Sequence, residues 1–160
     1  MSANDGSWHH ICAAWRNTDG SLEFYKDGVL SASETNFKQG NVIRSGGSLM
    51  LGQEQDLFGG GLDSTQSFQG YLSNLNVWDY VVCQEIITRM SKACLSGQGN
   101  LYKWSHFKDS VEGETRLFIP SPCDRTGMCY VTYCAPGWVL PSNRLMGMCR
   151  WMGSHFHDWI

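Results

Sequence analysis

Between Gly52 and Phe68 the chain reads GQEQDLFGGGLDSTQSF. Six of these residues carry carboxylate or side-chain amide oxygens: Gln53, Glu54, Gln55, Asp56, Asp63 and Gln66. Carboxylates and side-chain amides are the ligands that a calcium ion takes, roughly six to eight per ion. The run Gly59-Gly60-Gly61 lets the loop fold back at little steric cost, so that donors on its two limbs can face one ion. A solvated acidic hairpin has much the same composition, because Asp, Gly and Gln are ordinary loop residues. Composition alone therefore leaves both readings open.

The flanking elements must position this loop. Leu49 to Leu51 is apolar and reads as a strand entering it, and Phe68 to Val77 as a strand leaving it, closed by Trp78-Asp79. Upstream, Trp8 to Trp15 alternates aromatic and apolar residues with smaller ones and reads as a half-buried strand. Asn17-Thr18-Asp19-Gly20 is a turn, Leu22 to Lys26 a second strand, Asp27-Gly28 a tight turn, and Val29 to Ser33 a third strand. Such a meander implies antiparallel pairing. Asn36 to Ser48 is a polar connection. From Val81 to Met90 the period changes: Val82, Ile86, Ile87 and Met90 stand at helical spacing and predict one short amphipathic helix. His9 and His10 invite a metal reading, but neighbours on a strand point to opposite faces, so a structural role is expected of both.

The exact strings narrow the choice. GQEQD, then FGGG, Asp63, Thr65-Gln66, Phe68 and NLNVWD resemble the calcium loop of the pentraxin domain family. His10, Cys12 and Trp15 fit the family's His-x-Cys-x-Ser/Thr-Trp-x-Ser/Thr signature, while Ala14 and Asn17 depart from its hydroxyl positions. Laminin-G-like domains share a similar strand but lack GQEQD. The resemblance implies calcium as cofactor, held by Glu54, Gln55, Asp56, Asp63 and Gln66, with Gln55 giving its backbone carbonyl. It implies an all-β fold, an antiparallel jelly-roll β-sandwich of the concanavalin/laminin-G-like kind with one short helix. Asn100 to Ile119 resembles the closing strands. Cys94 and Cys123 bracket that segment and are candidates for a disulfide, although sequence does not fix connectivity.

The resemblance runs over residues 7–119 and matches only the later part of such a domain. The expected organisation is a partial, N-terminally truncated domain at 1–119 and a Cys-rich, disordered tail at 120–160. On this reading Cys12 lacks the upstream cysteine it bonds in the family, and a second calcium site lacks an upstream Asp-Asn pair. Lost strands would expose apolar faces and unpaired edges. The tail holds Cys123, Cys129, Cys134, Cys149, His155 and His157, but their spacing does not fit paired C-x₂-C zinc ligation.

Composition sets further bounds. The chain has 160 residues, a formal net charge of −3 and 42% hydrophobic residues, with a pI near 5.9. There is no basic pattern for nucleic acid, no apolar run long enough to span a membrane, and no visible signal peptide. Seven cysteines suggest an oxidising compartment, so the expected location is secreted or on the extracellular side of the cell surface. Enzyme motifs such as Gly-x-Ser-x-Gly and His-Glu-x-x-His are absent. Glu54 and Asp56 could pose as a glycosidase pair, but a cation in that loop would keep both occupied. The expected function is calcium-dependent recognition of an anionic head group or carbohydrate, with a homo-oligomer as one form. The alternatives are an extracellular protein–protein module of a larger adhesion receptor or mosaic protein, with calcium only structural, and a non-functional truncated isoform.

Overall fold

The computed structural model describes residues 2–113, 115–119, 121–123 and 145–153. Strands β1 (Trp8–Arg16), β2 (Ser21–Lys26) and β3 (Val29–Glu34) form the predicted meander. Strand β4 (Tyr71–Trp78) follows the acidic loop, helix α1 (Gln84–Met90) follows β4, and strand β5 is Leu145–Gly153. The described strands make one antiparallel sheet in the order β3-β2-β1-β5-β4. The chain is thus mostly strands with one short helix, and α1 is the single α-helix among the described residues.

The turns follow from residue type. Asp27 and Gly28 connect β2 to β3 with φ of 53° and 82°, the two positive values that a two-residue type I′ hairpin needs. Asp27 N–H donates to the His10 carbonyl at 2.8 Å, which ties the turn to β1. In β4 the pairing register with β5 shifts between Ser73 and Asn76. Asn74 sits there with φ of 52°, as a bulge residue that Asn tolerates better than a branched one. Asn74 donates to the Ser96 carbonyl, while Asn76 donates to Asn74 and accepts from Gly99 N–H. These buried amides fasten the 96–100 segment against β4.

One face of the sheet carries the core. Cys12, Tyr25, Trp78, Val82, Ile87 and Met90 cluster together. Helix α1 supplies Ile87 and Met90 from its buried side and leaves Ile86 outside. Its Glu85 and Arg89 stand in the first and last turns, the signs that the helix dipole favours. Burying Ile87 contributes about 1.5–3 kcal/mol. The helix also rests on the hairpin turn: Thr88 Oγ1 donates to the Gly28 carbonyl at 3.0 Å. A Cβ at Gly28 would meet Thr88 Cα at 2.9 Å, so only glycine fits there.

Several elements differ from the sequence-based expectation. Leu49 to Leu51 forms no strand; three apolar residues are too few to hold a ladder by themselves. The strand after the loop begins at Tyr71, not Phe68. Asn100 to Ile119 holds two short 3-10 turns, Trp104–His106 and Lys108–Ser110, and a single bridge between Val77 and Tyr102. Its rings pack on each other, Tyr102 on Phe107 and Trp104 on Phe107, instead of alternating across a sheet. Residues 145–153, within the segment expected to be disordered, are a strand paired on both sides. Cys12, expected to lack a partner, is disulfide-bonded. The resemblance implied a two-sheet jelly-roll sandwich; the described strands form one five-stranded antiparallel sheet.

Candidate metal centre

The 52–68 loop hangs between the polar connection after β3 and the start of β4. Backbone bonds close it at two levels. Phe68 N–H donates to the Gly52 carbonyl at 2.8 Å, and Leu57 and Gly60 exchange bonds of 3.2 and 3.0 Å across the glycine run. Gly61 has φ of 69° and lies so near Asp56 that a Cβ would come within 2.9 Å of the Asp56 Cβ. A third tie crosses the loop, from Gln53 Nε2 to the Asp63 carbonyl at 2.5 Å. The two donor-bearing limbs, 53–56 and 63–66, are thereby held in one folded loop.

Within it the donors divide into two kinds. Gln55 spends its side chain internally: Nε2 donates to the Ser48 carbonyl and Oε1 accepts from Gly59 N–H, both at 3.0 Å. The atom Gln55 can offer an ion is then its main-chain carbonyl. Asp63 caps the Ser64–Gln66 turn, with Oδ1 accepting from Thr65 N–H at 2.8 Å and from Thr65 Oγ1 at 2.7 Å. Those bonds, backbone first, hold its carboxyl below the usual carboxylate range. Glu54, Asp56 and Gln66 are exposed, and their side chains make no hydrogen bond with the described residues. The donor set suits a hard divalent cation, three carboxylates with an amide and a carbonyl oxygen. Glu54, Asp56 and Asp63 are not drawn into one cluster, and no group of three such side chains gathers anywhere among the described residues.

The signature strand lies apart and has a different character. His10 is 2% exposed, and burial pushes its pKa down to about 4, against a smaller opposing pull from Asp27. Its ring lies 3.7–3.8 Å from Cys12 Sγ. Trp15 donates its indole N–H to the Phe37 carbonyl at 3.0 Å, which pins the connection after β3. His9 stands between two carboxylates, 2.8 Å from Asp27 Oδ2 and 3.0 Å from Asp5 Oδ1, while Asp27 Oδ1 accepts from His10 N–H at 2.9 Å. Both histidines are thus engaged within the fold. The sequence carries no sign of the Asp5–His9–Asp27 arrangement, since Asp27 reads there only as a turn residue. Nor did it show the Gln53–Asp63 tie, which no spacing rule encodes. A disulfide joins Cys94 to Cys123, with Cα atoms 5.9 Å apart. Cys83 is the free cysteine among the described residues.

Comparison with known proteins gives these features a lineage. Rat "Sushi, von Willebrand factor type A, EGF and pentraxin domain-containing protein 1" is 40% identical over 118 residues, 72% of this chain but 3% of that protein. Neuronal pentraxin-2 of Cavia porcellus is 43% identical over 124 residues, 78% of this chain and 29% of its own length. Human neuronal pentraxin-1 is 39% identical over 121 residues, 75% of this chain and 28% of that protein. The chain therefore spans less than a third of each of these relatives. The model of the Pentaxin family matches residues 1–118, and the chain belongs to that family.

Proposed function

We propose that the chain is a calcium-dependent recognition module, extracellular or secreted, and not an enzyme. Glu54, the Gln55 carbonyl, Asp56, Asp63 and Gln66 hold the ion, and its partner is an anionic head group or carbohydrate. The observation that carries this reading is the division of the loop's polar groups. Gln53 and Gln55 spend their side-chain amides on closing the loop, whereas the Glu54, Asp56 and Gln66 side chains are exposed and make no hydrogen bond with the described residues. The ion supplies positive charge that an anionic ligand meets. The chain's own part is to keep carboxylates of both limbs on one loop and to hold Asp63 ionised through its Thr65 bonds. Family membership supports the same reading, and the architecture proposed for the whole domain is a two-sheet jelly-roll.

The test is retention on immobilised phosphoethanolamine with millimolar calcium and then with excess chelator. Retention that the chelator abolishes, and that Asp56→Ala lacks, is the expected result. Equal retention in both conditions would sink the proposal. A second reading has a specific observation behind it, the rat relative whose name combines sushi, von Willebrand factor type A, EGF and pentraxin domains. There the chain would be a protein–protein module with calcium only structural. That reading expects calcium to raise the melting temperature without any retention on the matrix.

A further inference from the structure

We propose that strand β5 is locked into the sheet by a disulfide between Cys12 and Cys149. Cys12 is disulfide-bonded and 1% exposed in the core. Its partner must be another of the chain's seven cysteines or a cysteine of a second molecule. Cys94 and Cys123 are bonded to each other, and Cys83 is free. Within the chain, Cys129, Cys134 and Cys149 are left. The sheet register selects among them. Strand β5 pairs with β1 over nine consecutive positions, from Trp8 opposite Gly153 to Arg16 opposite Leu145, and Cys149 stands directly opposite Cys12. Directly opposed residues of an antiparallel pair share a face, with Cα atoms about 4.5–5.5 Å apart. A disulfide spans about 4.4–6.8 Å between Cα atoms, so the register alone brings this pair within reach.

A second observation supports the placement of β5. Gly153 stands opposite Trp8 on one side and Tyr71 on the other. The Trp8 and Tyr71 rings nevertheless approach to 6.0 Å between centroids, across the intervening strand. Glycine at 153 is what lets rings from β1 and β4 meet there, because any side chain on that face would stand between them. Bond formation needs an oxidant, and a low-molecular-weight disulfide of the secretory pathway suffices. By exchange, the two thiols pass two protons and two electrons to it, and it leaves as two thiols.

The test is digestion of the whole chain without reductant, with free thiols alkylated first, followed by mass spectrometry. A linked peptide pair carrying Cys12 and Cys149, lost on reduction, is expected. Linkage of Cys12 to Cys129, Cys134 or a second molecule, or an alkylated Cys12, overturns the proposal. Cys149→Ser should lower the melting temperature by about 10 °C, and reductant should then cause no further loss through this bond. In the oxidised wild-type chain, amides of 8–16 should exchange slowly with solvent. Gly153→Val, which keeps both cysteines, should speed that exchange at the Trp8 end. Unchanged exchange in Gly153→Val would reject the strand placement independently of the disulfide map.

Discussion

The Asp27-Gly28 turn and the 52–68 loop are both connections rich in Asp and Gly, yet they use the same chemistry in opposite ways. In the short turn the Asp27 carboxylate, the Asp27 N–H and the Gly28 carbonyl are all engaged. The Asp27 carboxylate takes the His10 N–H and faces His9, its N–H reaches the His10 carbonyl, and α1 covers Gly28 through Thr88. In the long loop the closing bonds come from the backbone and from Gln53 and Gln55, while Glu54 and Asp56 remain outside the network. A carboxylate with internal donors on both oxygens, as in Asp27, is a fold element, and an oxygen without them, as in Glu54 and Asp56 or opposite the Thr65-bonded oxygen of Asp63, is available to something else. Residue type does not separate the two cases; the bonding of each oxygen does.

The largest way to test this contrast is to damage the side of the molecule on which the turn rests. Ile87→Ala should cost about 3 kcal/mol, read as a lower denaturant midpoint, and the loss should be the same with calcium and with chelator. A loss that calcium restored would mean that loop and core are one unit. Acid should act on the same side. His10 titrates near 4 in the fold and near 6.5 when unfolded, so the unfolded chain binds more protons between those values. Stability from this residue is complete above about pH 6.5 and falls as pH drops toward 4, by about 3 kcal/mol in all. Denaturant midpoints measured across that window should show this slope, and His10→Asn should flatten it.

Smaller effects bear on the carboxylates directly. Asp27→Ala removes acceptors from His9 and the His10 N–H and should cost about 1–2 kcal/mol regardless of calcium, measured by thermal unfolding. Asp56→Ala should change stability in chelator by less than about 0.5 kcal/mol. It should also erase the gain that calcium gives the parent chain, which at a concentration a hundredfold above the dissociation constant is about 2.7 kcal/mol. If Asp56→Ala proved as costly in chelator as Asp27→Ala, the distinction between the two connections would fall.

What could be read from the sequence was whatever local pattern determines. The alternation of Trp8 to Trp15, the Asp27-Gly28 pair and the Val82-Ile86-Ile87-Met90 spacing each name an element by itself, and β1, the turn and α1 stand where those patterns place them. Strand β5 carries no such signal. Its run LMGMCRWMG mixes methionine with glycine and shows no period of two, because a strand flanked on both sides answers to its neighbours more than to its own propensity. Leu49 to Leu51 misled in the opposite direction, an apolar triplet with no ladder to join. In the loop, residue types and order were legible, but the ties that fold it, Gln53 to Asp63 and Gln55 to Ser48 and Gly59, run through side-chain amides whose reach is a matter of three-dimensional closure.

The strand order has a kinetic consequence. Strands β1 and β4 are not neighbours; the residues that join them, 145–153, are made long after both. During synthesis the β1–β3 meander and the β4–α1 segment can each take shape, and α1 can rest on the meander through Thr88, Ile87 and Met90, but the sheet cannot close between β1 and β4 until that late strand emerges. Closure over so long a loop is entropically slow, and until it happens the facing edges of β1 and β4 are open to any extended segment nearby. Folding of this chain should therefore be limited by a late, long-range docking step, whose rate would respond to substitutions in 145–153 far more than to any change in the meander.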